Sequence, residues 1–224
     1  MDISAKRKYN ISKRIIICTE DGGNMMNKDF YFAIKNRHSI YGIGKEMIVS
    51  EERIHELVNH AVLNAPSAFN SQSARVVVLF GESHTKLWDI TKESLKKIVP
   101  GEKFDATEKK INSFQAGYGT ILYFDDASVV EGLQQKFPSY KDNFPIWAHH
   151  ASGMLQYIIW TALELEGLGA SLQHYNPLID EAVKHQWGLP ASWKLIAQMP
   201  FGNPTVPAEE KPHLPLEERV KVFK

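Results

Sequence analysis

A chain of 224 residues with 43% apolar side chains is long enough to bury one substantial core. Its 26 basic and 26 acidic residues cancel, so no net field is available to hold nucleic acid or an anionic membrane, and neither is expected as a partner. The single cysteine, Cys18, excludes an internal disulfide and a cysteine-based zinc cluster, and points to a reducing, cytoplasmic setting.

Residues 1–25 lack an amphipathic period and run into Asp21-Gly22-Gly23-Asn24 ahead of Met25-Met26. They read as an extension of the domain over 26–224: either a disordered basic tail or a stretch upstream of a true start at Met25 or Met26. After the basic region Lys6 to Arg14, only Ile15 to Cys18 precede Glu20 and Asp21, too short an apolar run for a signal-peptide core. Asp29 to Asn36 is a helix candidate. Ser50 followed by Ile54, Leu57, Val58, Ala61 and Val62 predicts an N-capped helix with one apolar stripe, ending before Pro66.

Arg75 to Phe80 follows as a strand, and the unbroken run Val76 to Leu79 predicts cover on both faces. Leu87, Ile90, Leu95 and Ile98 keep helical spacing until Pro100-Gly101, and Asp105 to Gln115 predicts another helix. Gly117-Tyr118-Gly119 leads into a second strand, Thr120 to Phe124, and then a short helix near Val129 to Phe137. Phe144 to Leu165 is apolar on nearly every side. His149, His150, Gln156 and Glu164 argue against a membrane span, so this helix should be central or covered by a partner subunit. Gly167 and Gly169 end it. A helix from Asn176-Pro177 to Trp187, stopped by Gly188, and a third strand, Trp193 to Met199, complete the pattern. The proline- and charge-rich tail from Gly202 to Lys224 has little core of its own and is expected to wrap over something else, such as a second subunit.

Three separated motifs make joint sense as a site for a phosphate and a flat ring. Arg37-His38-Ser39 offers a planar guanidinium fork and a hydroxyl, suited to a phosphate. Taken alone it reads more readily as a solvated helix end with a capping serine. Pro66-Ser67-Ala68-Phe69-Asn70-Ser71-Gln72 is a polar loop entering a strand, and the Asn70 and Gln72 amides carry both donors and acceptors for a heterocycle edge. In Gly167-Leu168-Gly169-Ala170-Ser171-Leu172-Gln173-His174-Tyr175, small residues let backbone approach a flat ligand. Phe201-Gly202-Asn203-Pro204 leads on to Lys211, a second cation for a phosphate.

With these motifs assembled, the chain resembles the nitroreductase family, in particular its Frm2-like and CinD-like branch, from about Phe30 to Lys224. The most specific stretch is Asn64 to Leu79, supported by Gln173-His174-Tyr175-Asn176-Pro177 and Phe201-Gly202. The resemblance implies an α+β fold with a central, mainly antiparallel sheet flanked by helices, in an intertwined homodimer whose C-terminal tails extend onto the opposite subunits. It implies FMN between the subunits, with NADH or NADPH as hydride donor. Arg37, His38, Ser39 and Lys211 would hold the phosphate and ribityl side, and Asn70, Ser71 and Gln72 the ring. Leu172, Gln173 and His174 would lie near the reactive edge, mostly through backbone. Better-known members carry a lysine where this chain has Tyr41, and Arg75 is the candidate to replace its charge near the reduced ring.

The chemistry in this reading belongs to the cofactor, so no protein nucleophile or metal is needed, and ping-pong kinetics with small flat acceptors such as nitroaromatics or quinones follow. One alternative is a flavin-binding redox or lipid-response regulator with little turnover. Another is a metal-dependent hydrolase built on His149, His150 and Glu164, but adjacent histidines on a helix diverge by about 100° and cannot share an ion.

Overall fold

The computed structural model describes residues 30–209 and 212–224. The predicted extension over 1–25 and the phosphate candidate Lys211 lie outside them. The chain runs α1 (Phe30–Asn36), β1 (Ile43–Gly44), α2 (Glu51–Asn64), β2 (Ala74–Phe80), α3 (Gly81–Lys96), α4 (Gly101–Gln115) and β3 (Gly119–Asp126). It continues with α5 (Ala127–Lys136), α6 (Asn143–Leu165), β4 (Gly169–Ala170), α7 (Asp180–Trp187), β5 (Trp193–Pro204) and α8 (Leu216–Arg219). One five-stranded sheet in the order β1-β5-β3-β2, with β4 also on β5, is antiparallel at every strand pair. The architecture is the α+β one expected.

β3 is the central strand, and all eight of its residues are buried. Its alternation divides the core. Ile121 and Tyr123 join Met199 and Phe201 of β5 beneath α2 and α6, where Ile54, Leu57, Leu155 and Ile159 close the layer. Leu122 and Phe124 face the other way, against Trp88, Ile111, Phe114 and Val183 of α3, α4 and α7. Each large side chain buried this completely contributes roughly 1.5–3 kcal/mol.

Several elements depart from the sequence reading. α4 begins at Gly101 rather than Asp105, because Pro100 precedes the helix as its N-cap residue and breaks only the preceding one. β3 and β5 outrun their predicted spans, β5 continuing through Pro200 and Gly202 to Pro204, so the tail begins later than expected. β2 packs on a core cluster through each face, as expected, but it is an edge strand, and Val76, Val77 and Val78 stay half-buried. β1 and β4, two residues each, are too short for periodicity to reveal.

The long apolar helix stands as α6, 23 residues to Leu165, and is stopped by Gly167, whose φ of +83° only glycine adopts freely. One face packs on the sheet, yet Ile146, Met154 and Tyr157 remain 38–52% exposed, beside Leu63 of α2 at 83%. No helix among the described residues is long and apolar enough to cross a membrane.

Candidate functional site

The first motif closes α1. The Arg37 N–H bonds the Ala33 carbonyl at 2.9 Å, and its side chain then folds over α6. Its guanidinium carbon stands 4.4 Å above the Trp160 ring centre and 5.9 Å from that of Tyr157. Cation–π contact of this kind holds the fork flat and orients its edges. Nε is buried with no partner among the described residues. An unpaired buried donor costs about 1–3 kcal/mol, so the arrangement favours an acceptor such as a phosphate oxygen at that edge. His38 is half-buried, and Ser39 forms a parallel bridge to Ala170, where the Ile40 N–H bonds the Ala170 carbonyl at 2.9 Å.

That bridge joins the first motif to the third. Ser171 donates its N–H to the Pro200 carbonyl at 3.3 Å, and Gln173 exchanges both backbone bonds with Gln198, at 2.7 and 2.9 Å. The Gln173 backbone is therefore consumed inside the sheet, contrary to the expectation that it meets a ligand. Strand alternation turns the Leu172 and His174 N–H groups the opposite way, and these two are the backbone donors the segment offers. The Leu172 side chain packs into the α2/α6 core, His174 is exposed, and the buried Gln173 amide donates to the Ser171 hydroxyl at 3.0 Å.

The second motif is a tight turn ahead of β2. Asn70 N–H bonds the Ser67 carbonyl at 3.0 Å, Ser71 N–H the Ala68 carbonyl at 3.1 Å, and Gln72 N–H the Ser67 hydroxyl at 3.0 Å. The Asn70 and Gln72 side chains stay exposed, while Ser71 is half-buried. Arg75 braces the turn: its guanidinium donates to the Gln72 carbonyl at 2.7 Å, the Ala74 carbonyl at 3.1 Å and the Asp126 carboxylate at 3.0 Å. Burial pushes the Asp126 carboxyl up, but bonds from Ser128 and Ser192, together with the Arg75 charge, outweigh it and hold the group below the usual carboxylate range. Arg75 is thus neutralised within its own chain and occupied by the turn. The cation expected to replace the lysine missing at Tyr41 is therefore paired with Asp126 rather than free.

The protomer brings the first and third motifs together but not the second. Arg37 rests on Tyr157 and Trp160 of α6, whereas Phe69 of the second motif packs on Phe144 and Trp147. Thirteen residues of helix separate Trp147 from Trp160, about 20 Å. A cavity of about 730 Å³ opens beside the second motif, between α2 and β2, with Ser67, Gln72, Arg75, Val76 and Val78 in its wall. It does not reach Arg37. Sequence reasoning missed Tyr157 and Trp160, which stand with Phe144 and Trp147 in an apolar helix and carry no mark of an arginine partner, and it gave Phe69 no role. His149 and His150 are both exposed, and among the described residues no three histidine, cysteine or acidic side chains are grouped to hold a metal ion.

Comparison with known proteins bears on this geometry. Residues 34–203 match the model of the Nitroreductase family. The nitroreductase FRM2 of Saccharomyces cerevisiae is 35% identical over 191 residues, covering 84% of this chain and 92% of the yeast protein. The structure of the nitroreductase CinD from Lactococcus lactis in complex with nicotinic acid superimposes with a TM-score of 0.82 at 45% identity, over 88% of this chain and all of that one. The same bacterial protein in complex with 4-nitrophenol gives 0.80 at 44% identity, with the same coverage. A protein of Desulfovibrio desulfuricans in complex with FMN, 22% identical, shares the fold with a TM-score of 0.62, over 87% of this chain and 97% of that one.

Proposed function

Because the chain belongs to the nitroreductase family, and is therefore an oxidoreductase of the branch that includes FRM2 and CinD, we propose that it works with FMN, reducing nitroaromatic or quinone-like acceptors at the expense of NADH or NADPH. The observation that carries this reading is Arg37, laid flat on Trp160 with a buried Nε that has no partner among the described residues, two residues before the Ser39 bridge that leads into the third motif. A phosphate supplies the acceptor that this donor lacks.

FMN held here would supply the two-electron transfer between nicotinamide and acceptor. The protein's part is positioning. Arg37, His38 and Ser39 hold the phosphate and ribityl side, while the Leu172 and His174 N–H groups face the ring edge. Asn70, Ser71 and Gln72 supply side-chain donors and acceptors to the ring from the partner subunit, since about 20 Å of α6 divides them from Arg37 of their own. Binding of 4-nitrophenol by the L. lactis relative supports the acceptor class.

The same geometry supports a homodimer. Ile146, Met154 and Tyr157 on α6 and Leu63 on α2 form the exposed apolar face that a second copy covers. The tail, with Val220, Val222 and Phe223 exposed, lies along the open edge of β2 on the partner, in the groove of about 730 Å³.

The test is the visible spectrum of the purified dimer. The wild-type protein is expected to be yellow and to bleach under anaerobic NADH or NADPH. Arg37→Ala is expected to lose FMN while remaining a folded dimer. Unchanged flavin content in that variant removes Arg37 from the phosphate role, and a yellow protein that neither nicotinamide bleaches points instead to a regulator.

A further inference from the structure

Three non-glycine residues of the second motif sit in the left-handed region: Phe69 at φ 56°, Asn70 at 50° and Gln72 at 50°. Asparagine tolerates this conformation, but a bulky aromatic residue rarely enters it, because Cβ crowds the neighbouring carbonyl. Such strain persists only where the surroundings over-determine the backbone. The turn's own hydrogen bonds join backbone and hydroxyl groups of residues 67–72, and none of them calls for a ring at position 69.

The ring is held from outside the turn. It stacks on Trp147 at 5.9 Å and 19°, and meets Phe137 at 5.0 Å, Phe144 at 5.3 Å and Tyr140 at 5.7 Å. These four rings come from the end of α5, the turn after it and the first half of α6. Phe69 nevertheless remains 50% exposed, so the contact is not core packing that the fold needs for its interior. An aromatic residue in a disfavoured conformation, half in water and gripped by four rings, acts as a fastener for the residues that follow it.

We propose that Phe69 is a positioning residue. Its aromatic socket locks the turn in the left-handed arrangement that presents Asn70 and Gln72 to the flavin ring, so affinity and redox behaviour at the ring depend on a side chain that need not touch it. The inference rests on the FMN reading above and adds a means of control to it. Ordering of the Asn70 and Gln72 side chains is completed before the ligand arrives, and loss of that pre-ordering corresponds to roughly a tenfold to hundredfold weakening.

The variants are Phe69→Gly and Phe69→Tyr in the full chain. Glycine removes the ring while suiting the backbone, so folding is spared the strain. Tyrosine keeps the ring and can extend its hydroxyl into water from the half-exposed site. FMN titration of the apoprotein and the midpoint potential of the bound flavin are measured for both, with circular dichroism as the check on folding. Phe69→Gly is expected to bind FMN at least tenfold more weakly with a shifted potential, and Phe69→Tyr to match wild type. A folded Phe69→Gly protein with wild-type affinity and potential overturns the positioning role while leaving the FMN reading intact. A wild-type chain that binds no FMN overturns that reading, and this one with it.

Discussion

Replacing His84 with glutamine should flatten the acid sensitivity of the fold. His84 lies in α3 at 1% exposure, with Nε2 3.2 Å from the Gln115 carbonyl and Nδ1 2.8 Å from the Thr120 hydroxyl. A carbonyl only accepts, so Nε2 carries the proton, and Nδ1 accepts from Thr120, whose oxygen in turn accepts the Trp88 indole N–H at 3.0 Å. The neutral ring is fully satisfied. A second proton would strand the Thr120 hydrogen and place a cation in the core, and burial accordingly lowers the His84 pKa from 6.5 to about 4. The unfolded chain therefore binds the proton first, so this contribution to stability is complete above pH 6.5 and is lost as pH falls toward 4. At 1.36 kcal/mol per unit the whole window is worth about 3 kcal/mol, and the descent from pH 7.5 to 5 about 2 kcal/mol. Glutamine can donate to the Gln115 carbonyl and accept from Thr120 without titrating. Urea unfolding of both proteins at those two pH values measures the difference, which cancels the titration of other groups. Equal losses in the two proteins would refute the reasoning.

Two further substitutions probe the site's supports. Trp160→Leu removes the surface on which the Arg37 guanidinium lies, and the loss of a cation–π contact of roughly 0.5–2 kcal/mol predicts FMN binding weaker by about two- to thirtyfold, read by titration of the apoprotein. Gly202→Ala places a methyl group against the Gly44 carbonyl oxygen and 3.0 Å from the Tyr118 nitrogen, backbone atoms that cannot swing aside. Overpacking of this kind costs about 1–3 kcal/mol, so thermal unfolding should begin several degrees lower; an unchanged midpoint would mean that β1 yields without cost.

The parts of the fold that periodicity encodes were legible. Phe144 to Leu165 reads as one apolar helix and stands as α6 with a single residue added at its start. Val76 to Leu79 reads as a strand, but an unbroken valine run is the same whether the cover comes from the chain's own helices or from a second molecule, so its place at the sheet edge was hidden. Pro200 and Gly202 look like strand breakers. β5 passes through both, and at Gly202 the Gly44 backbone of β1 and the Tyr118 nitrogen just before β3 come too close for any side chain. Within the site, polar residues in loops announced themselves. Trp160 did not, since an aromatic residue in an apolar helix carries no mark of the arginine it supports. Nor did Phe69, whose left-handed backbone is imposed by rings 68 to 78 positions away in the chain.

The division of the motifs along α6 also connects binding to assembly. In the proposed arrangement the phosphate end is held by one copy and the ring by the other, so FMN contacts more of the protein in the dimer than either protomer can offer alone. A ligand that favours the associated state must stabilise it by the same factor by which association tightens the ligand. The half-exposed Ile146, Met154 and Tyr157 then have a consequence beyond the apolar area they bury. Ile146 stands just before the Trp147 footing, and Met154 and Tyr157 lie between it and the Trp160 one, so whatever holds the α6 faces together also sets the distance between the Arg37 of one copy and the Gln72 of the other.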